Sequence, residues 1–237
     1  MTSAQTRPFD HSLWSDLLRA YVTRESRVDY RSLKAHGAAS LDRYLQQLAA
    51  PWPPTITPDA RKAALINSYN ALTVRWVAAN YPVASIWRTR HPFTEARHTV
   101  DGAATSLDQI EGRLRAMGDP RIHAALVCAA RSCPPLRQEA YDGSRLDSQL
   151  DDNTRAWLAN PNLNQFFPAR NRASVSMIFK WYQADFGSVE KFLARFGHPA
   201  AQLEYKPYDW GLNDSSGAGN AYCDLYFYWD AFRNKIF

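Results

Sequence analysis

Arg121-Ile-His-Ala-Ala-Leu-Val-Cys-Ala-Ala-Arg-Ser-Cys-Pro-Pro-Leu136 gathers one histidine and two of the chain's three cysteines into eleven residues, His123 to Cys133. Ile122 to Ala130 is an apolar run of strand length, and Arg131-Ser-Cys-Pro-Pro135 breaks it. Read as a strand, it makes the fold α+β, with helices packed on a small antiparallel sheet. Strand alternation then puts His123 and Cys128 on opposite faces, because their spacing of five is odd. A strand that hands His123 and Cys133 to the turn beyond it builds a thiolate–imidazole pair, the reactive form of cysteine beside a base. The same residues also fit a core histidine and a structural disulfide.

Working outward, the 237 residues suit one large domain or two small ones, and a 46% hydrophobic, 13% aromatic composition supplies a buried core. We expect one domain over residues 1–213. Asp214-Ser-Ser-Gly-Ala-Gly-Asn220 then reads as a flexible linker, and Tyr222-Cys-Asp-Leu-Tyr-Phe-Tyr-Trp-Asp-Ala-Phe232 as an aromatic tail packing on the domain or serving as an oligomer contact. The net charge of +5 is spread over Arg19, Arg24, Arg61, Arg88, Arg113, Arg137 and Arg195, with no basic block of the kind that marks a nucleic-acid patch. Mild basicity of this kind also favours an acidic substrate. No apolar stretch approaches the roughly 20 residues of a membrane span. Met1-Thr-Ser-Ala-Gln-Thr-Arg-Pro8 lacks the apolar core of a signal peptide, so the sequence as written reads as cytoplasmic, or as periplasmic or secreted if a leader was removed. Three cysteines leave at least one thiol outside any intrachain pair.

Local signals place the other elements. Helices are predicted over Trp14–Val22 and Ala39–Leu48. Thr57-Pro58-Asp59 opens the strongest helix, which Pro82 stops near Asn80. Leu65, Tyr69, Leu72 and Trp76 recur at spacings of four, three and four, one helical face. His98-Thr-Val-Asp-Gly102 reads as a hairpin with an Asp-Gly turn. Ser106 and Gln109 form a capping box at the start of a short helix. Leu146–Leu158 reads as helix, Ala173–Ser176 as a strand, and Met177–Phe186 and Val189–Phe196 as helices. His11, His36, His91 and His198 read as surface residues.

Five motifs occur in order: Ile66-Asn-Ser-Tyr-Asn-Ala-Leu72, Ser106-Leu-Asp-Gln-Ile-Glu111, Asp119-Pro-Arg-Ile-His-Ala-Ala-Leu-Val-Cys128, Ser132-Cys-Pro-Pro-Leu-Arg137 and Tyr208-Asp-Trp-Gly-Leu-Asn213. Together they resemble the DUF547 family, a domain of unknown function, over roughly residues 9–213. The resemblance implies bacterial, often exported, proteins and plant proteins in which the domain follows a coiled coil. More distantly, the arrangement resembles a papain/transglutaminase-like fold, in which a buried helix packs on an antiparallel sheet and a strand supplies the catalytic His. Gly112 departs from the family pattern, where a His usually follows the Glu, and the aromatic tail lies outside that pattern.

The leading expectation is a cysteine-dependent hydrolase or acyl transferase. Cys133 is the nucleophile, His123 the base, Asn67 binds a carbonyl or orients the base, and Glu111 is a third member. Asn70, Tyr69, Arg131 and Tyr141 would bind substrate. Plainer readings stand beside these: Asn67 and Asn70 hydrogen-bond neighbouring backbone, Glu111 pairs at the surface with Arg115, and Tyr141 belongs to the Asp142-Gly143 turn. Cys128 is either core, a disulfide partner of Cys133, or a resolving thiol. A zinc site gathering Cys128, Cys133, His123 and His98 lacks closely spaced ligand pairs, so no metal is assigned. No phosphate-binding glycine loop or dinucleotide fingerprint is present, so no cofactor is expected. The partner would be a small molecule or a peptide. Two rivals to acyl chemistry are a non-catalytic ligand- or peptide-binding module and thiol or sulfur-transfer chemistry at Cys133 and Cys128.

Overall fold

Thr57-Pro58-Asp59 opens the helix around which the molecule is built. The Thr57 hydroxyl accepts from the Ala60 N–H, Pro58 needs no donor in the first turn, and Asp59 complements the positive end of the helix. In the computed structural model, which describes residues 10–216, this helix (α4) spans Pro58–Asn80 and ends where Tyr81, before Pro82, turns extended. Every residue from Ala63 to Val74 is buried. The predicted apolar face is therefore too narrow. The helix is covered all round, and Ala63, Ala64, Ser68 and Ala71 let its neighbours come close.

Those neighbours include α2 (Tyr30–Ser32), which continues through a π-helical turn, Leu33–Gly37, into α3 (Ala38–Ala49). Helices α5 (Leu107–Arg115) and α7 (Leu146–Ala159) pack on α4 as well, and α1 (Ser12–Tyr21) packs on α3. Strands β1 (His98–Val100) and β2 (Ala103–Thr105) form the expected antiparallel hairpin. Asp101 and Gly102 both take positive φ, 56° and 72°, as its two-residue turn demands. The Asp101 carboxylate then accepts from the Trp52 N–H and Arg61, tying the hairpin to the Pro-rich connector. The Ser106–Gln109 capping box is present at the start of α5.

Two expectations fail here. The three-stranded sheet is mixed rather than antiparallel: β4 (Arg172–Ser176) pairs antiparallel with β3 (Gln165–Phe167) and parallel with β5 (Gln202–Lys206). Parallel pairing needs a crossover. Helices α8 (Ile178–Trp181), α9 (Gln183–Phe186) and α10 (Val189–Arg195) supply it, α8 and α9 being separated at Tyr182 where the backbone leaves helical values. Second, Ile122 to Ala130 is not a strand. Asp119-Pro120 turns the chain, the Ile122 and His123 N–H groups donate to the carbonyls of Asp119 and Pro120, and a short helix results, α6 (Ile122–Ala125). Residues 122–130 are all buried, and an apolar run covered on every side has no period by which helix and strand can be told apart.

One apolar core runs from Trp14 to Leu212. His11 belongs to its edge rather than the surface, with Nδ1 2.8 Å from the Tyr44 hydroxyl, and the His198 ring stacks on Phe166. No helix among the described residues is long and apolar enough to cross a membrane. The aromatic tail lies outside the described residues, as does most of the predicted linker.

Candidate functional site

The site is assembled by side chains of α4 and by the Tyr208–Asn213 segment. Asn70 sits 2% exposed on α4 and clamps the chain after α6: its Nδ2 donates to the Ala125 carbonyl, and its Oδ1 accepts from the Val127 N–H, both at 2.9 Å. Asn67, one turn back, does the same for Tyr141, through the carbonyl at 2.8 Å and the N–H at 2.9 Å. Both amides are thus spent on backbone. This is the plainer of the two arrangements the sequence allowed for Asn67 and Asn70, hydrogen bonding to backbone.

Beyond Val127 the chain folds back sharply. Ala129 takes a positive φ of 66°, and the Cys133 N–H donates to the Ala130 carbonyl. The Tyr208–Asn213 segment holds this turn. Arg131 N–H donates to Gly211, Asn213 N–H donates to Ala129, and Asp209 N–H donates to the Ser132 hydroxyl. As a result the two sulfurs meet. Cys128 and Cys133 are not joined in a disulfide; their Sγ atoms lie 3.0 Å apart, and the Cys128 N–H donates to the Cys133 sulfur at 3.1 Å. The Tyr208 hydroxyl lies 3.4 Å from Cys128 Sγ and 3.3 Å from Cys133 Sγ. Burial pushes the Cys133 thiol well above its ordinary range, its neighbour Cys128 pushes the same way, and Tyr208 pulls it back in part.

These sulfurs border a slot of about 30 Å³, room for a water or two, whose walls include Glu111, His123, Cys128, Cys133, Tyr182 and Tyr208. His123 and Cys128 therefore face the same space, contrary to the alternation argument, because a helical turn rather than a strand carries the histidine. His123 Nε2 lies 2.8 Å from Asp185 Oδ2, and its ring stacks on Tyr182 at 4.1 Å. Arg115 grips Asp185 at 2.5 and 3.0 Å and, ahead of His123, holds that carboxyl below the usual range. Burial lowers the His123 pKa despite the opposing pull of Asp185 and Glu111, so the ring is neutral near pH 7. An ionised carboxylate only accepts, so Nε2 carries the proton and Nδ1 is the basic nitrogen.

Glu111 is 9% exposed on the slot wall. The surface pair with Arg115 does not form, because that guanidinium turns to Asp185. Tyr69 also lines the slot. Tyr141 is 2% exposed in the core and lines neither the slot nor the groove described next. Arg131 lines an open groove of about 640 Å³, and Cys133 contributes to the walls of both spaces. Asp185 and Tyr208 were not singled out in the sequence. Tyr208 does open one of the five ordered motifs, whereas Asp185, 62 positions beyond His123, carries no local signal. Among the described residues no group of three or more His, Cys, Asp or Glu side chains is placed to hold a metal ion.

No curated protein and no solved structure matches the chain. Residues 53–158, which carry α4, α5, α6, Glu111, His123 and both thiols of the turn, match the model of the family described as "Protein of unknown function, DUF547".

Proposed function

We propose that Cys128 and Cys133 are a redox-active dithiol and that the protein carries out thiol–disulfide exchange. The observation that supports this best is the 3.0 Å separation of two sulfurs, neither held in a disulfide, on a tight turn. The bond of about 2.05 Å that would join them needs an approach of about 1 Å. Cys133, which borders the open groove, is the attacking thiol. Its thiolate attacks one sulfur of a disulfide RS–SR, forming a Cys133–SR mixed disulfide and releasing RS⁻, which takes up a proton. The Cys128 thiolate then attacks Cys133 Sγ, the Cys128–Cys133 bond forms, and the second RS⁻ leaves. Two RSH molecules are produced and the protein is oxidised by two electrons. Tyr208 is placed to donate to the developing thiolate. Since burial raises the Cys133 pKa, the exchange accelerates with pH through the alkaline range.

The test uses a Cys223→Ser background, so that only the paired thiols react. Reduced protein is treated with 2-hydroxyethyl disulfide and followed by intact mass and peptide mapping. We expect loss of two mass units and a Cys128–Cys133 link, with a further Cys128→Ser change halting the reaction at a mixed disulfide on Cys133. Adduct formation at Cys128 alone, or two unreacted thiols after prolonged treatment, would overturn the proposal.

A second reading, acyl transfer by a Cys133 nucleophile with His123 as base, is favoured by one observation: His123, oriented by Asp185, borders the same slot as Cys133. The two readings separate on Cys128→Ser, which removes intramolecular disulfide formation but leaves transfer from an activated ester to Cys133 intact.

A further inference from the structure

We infer that the groove beside Cys133 selects a small disulfide bearing carboxylates. This substrate class rests on the dithiol reading. The groove, about 640 Å³, is of a size for one small ligand. Five arginines line it, Arg19, Arg24, Arg27, Arg131 and Arg137, against two glutamates, Glu25 and Glu139. Several of these charges are already answered. Arg19 bonds Asp16, and Arg137 bonds Glu139 and the Gln149 carbonyl. Arg131 is only loosely paired, 3.6 Å from Asp209. No ion pair joins Arg24 or Arg27 to a carboxylate among the described residues.

Those two arginines ride on a constrained turn. Thr23 N–H donates to the Arg27 carbonyl, Arg27 N–H donates to the Thr23 hydroxyl, Ser26 takes a positive φ of 61°, and Val22 bridges Val28 across the base. The turn therefore presents unanswered guanidinium groups at a fixed place on the groove rim, while Cys133 stands in its wall. Guanidinium is the side chain that grips carboxylate in two-point fashion, and a like-signed cleft concentrates anions. A disulfide carrying carboxylates would be drawn in by its charges and brought to the attacking thiol by its length. Cationic disulfides would be repelled.

The experiment compares three probes on the full chain carrying Cys223→Ser: dithiodipropionate (dianionic), 2-hydroxyethyl disulfide (neutral) and cystamine (dicationic). Each rate of Cys128–Cys133 bond formation is divided by the rate of the same probe with free 2-mercaptoethanol, which removes intrinsic reactivity. At low ionic strength the dianion should be favoured about 10-fold over the neutral probe and cystamine disfavoured, the range converging as salt rises. Arg24→Glu/Arg27→Glu should reverse the order, and Arg24→Gln/Arg27→Gln should flatten it. Equal normalised rates, or an order unchanged in both double variants, would overturn the inference and leave the dithiol intact. If no probe oxidises the pair, the dithiol reading itself fails. Equilibrium binding of dithiodipropionate to Cys133→Ser then decides the groove alone: saturable binding lost in the Arg24/Arg27 variants supports an anion site, and its absence overturns one.

Discussion

Asn70→Ala should cost the protein about 3–5 kcal/mol through the loss of a backbone clamp. The amide satisfies one backbone carbonyl, Ala125, and one backbone N–H, Val127, in a region closed to water. Truncation leaves both groups buried and unpaired. Each such group costs about 1–3 kcal/mol, and the small void left by the amide adds to this. Against a total of about 5–15 kcal/mol for a typical domain, the loss is a large fraction and should show as a clear fall in the urea midpoint at pH 7 under reductant. Asn70→Asp makes the argument sharper. A protonated carboxyl can still donate to Ala125 and accept from Val127, whereas a carboxylate faces the Ala125 carbonyl with no proton to offer. Burial and that carbonyl both raise the folded-state pKa of the new acid. Relative to wild type, the variant is therefore best preserved below the ordinary carboxylate range, and its deficit grows as pH rises through the raised pKa. A loss under about 1 kcal/mol for Asn70→Ala, or an Asn70→Asp deficit independent of pH, would refute the clamp.

Burial holds His11 and His98 down to about 4 each, so both are neutral in the fold at pH 7. Their folded pKa values lie below the unfolded value, so their stabilisation is complete above about pH 6.5 and is lost as pH falls toward 4. Because both residues are only partly buried, the loss is discounted to about 1–2 kcal/mol each, and chemical denaturation across that window should show His11→Gln flattening the profile by that amount. A profile unchanged by the substitution would contradict it. Tyr208→Phe removes the hydroxyl that lowers the Cys133 pKa, and should slow Cys133 alkylation by up to about 10-fold at fixed pH while leaving the fold intact; an unchanged rate would show that the hydroxyl does not reach the thiolate. Asp185→Asn separates the two chemistries: it should leave disulfide formation within about two-fold but depress any ester-driven acylation of Cys133 by about 10²-fold, since it unsettles the His123 tautomer.

Features decided within a few residues were legible in the sequence. The Thr57 cap, the Ser106–Gln109 box and the Asp101-Gly102 hairpin each depend on one local hydrogen-bonding pattern or one backbone conformation, and each is present. The parallel pairing of β4 with β5 was not legible, because it joins strands separated by the whole α8–α10 crossover. The error at Ile122–Ala130 has a different origin: an amphipathic element advertises its period through its wet side, and this segment has none.

The same segment shows how sequence spacing can bring residues together in a geometry that spacing alone does not specify. The short spacing of Cys128 and Cys133 does bring them together, but only because Ala129 adopts a left-handed backbone and the distant Tyr208–Asn213 segment binds the turn. Likewise, the spacing of Glu111 and Arg115 favours a surface pair, yet Asp185 from α9 captures the arginine and leaves Glu111 on the slot wall. Local spacing ranks the partners a side chain could have; a residue arriving from elsewhere in the chain decides among them. Gly112 illustrates the converse. A Cβ built there meets nothing within 4 Å, and the residue lies on the exposed side of α5, so the departure from the family's His takes no atom from the packed wall formed by Glu111 and His123. The two sulfurs, the histidine and its carboxylate keep their arrangement without it, which is why the chemistry proposed for this chain is placed on the thiol pair.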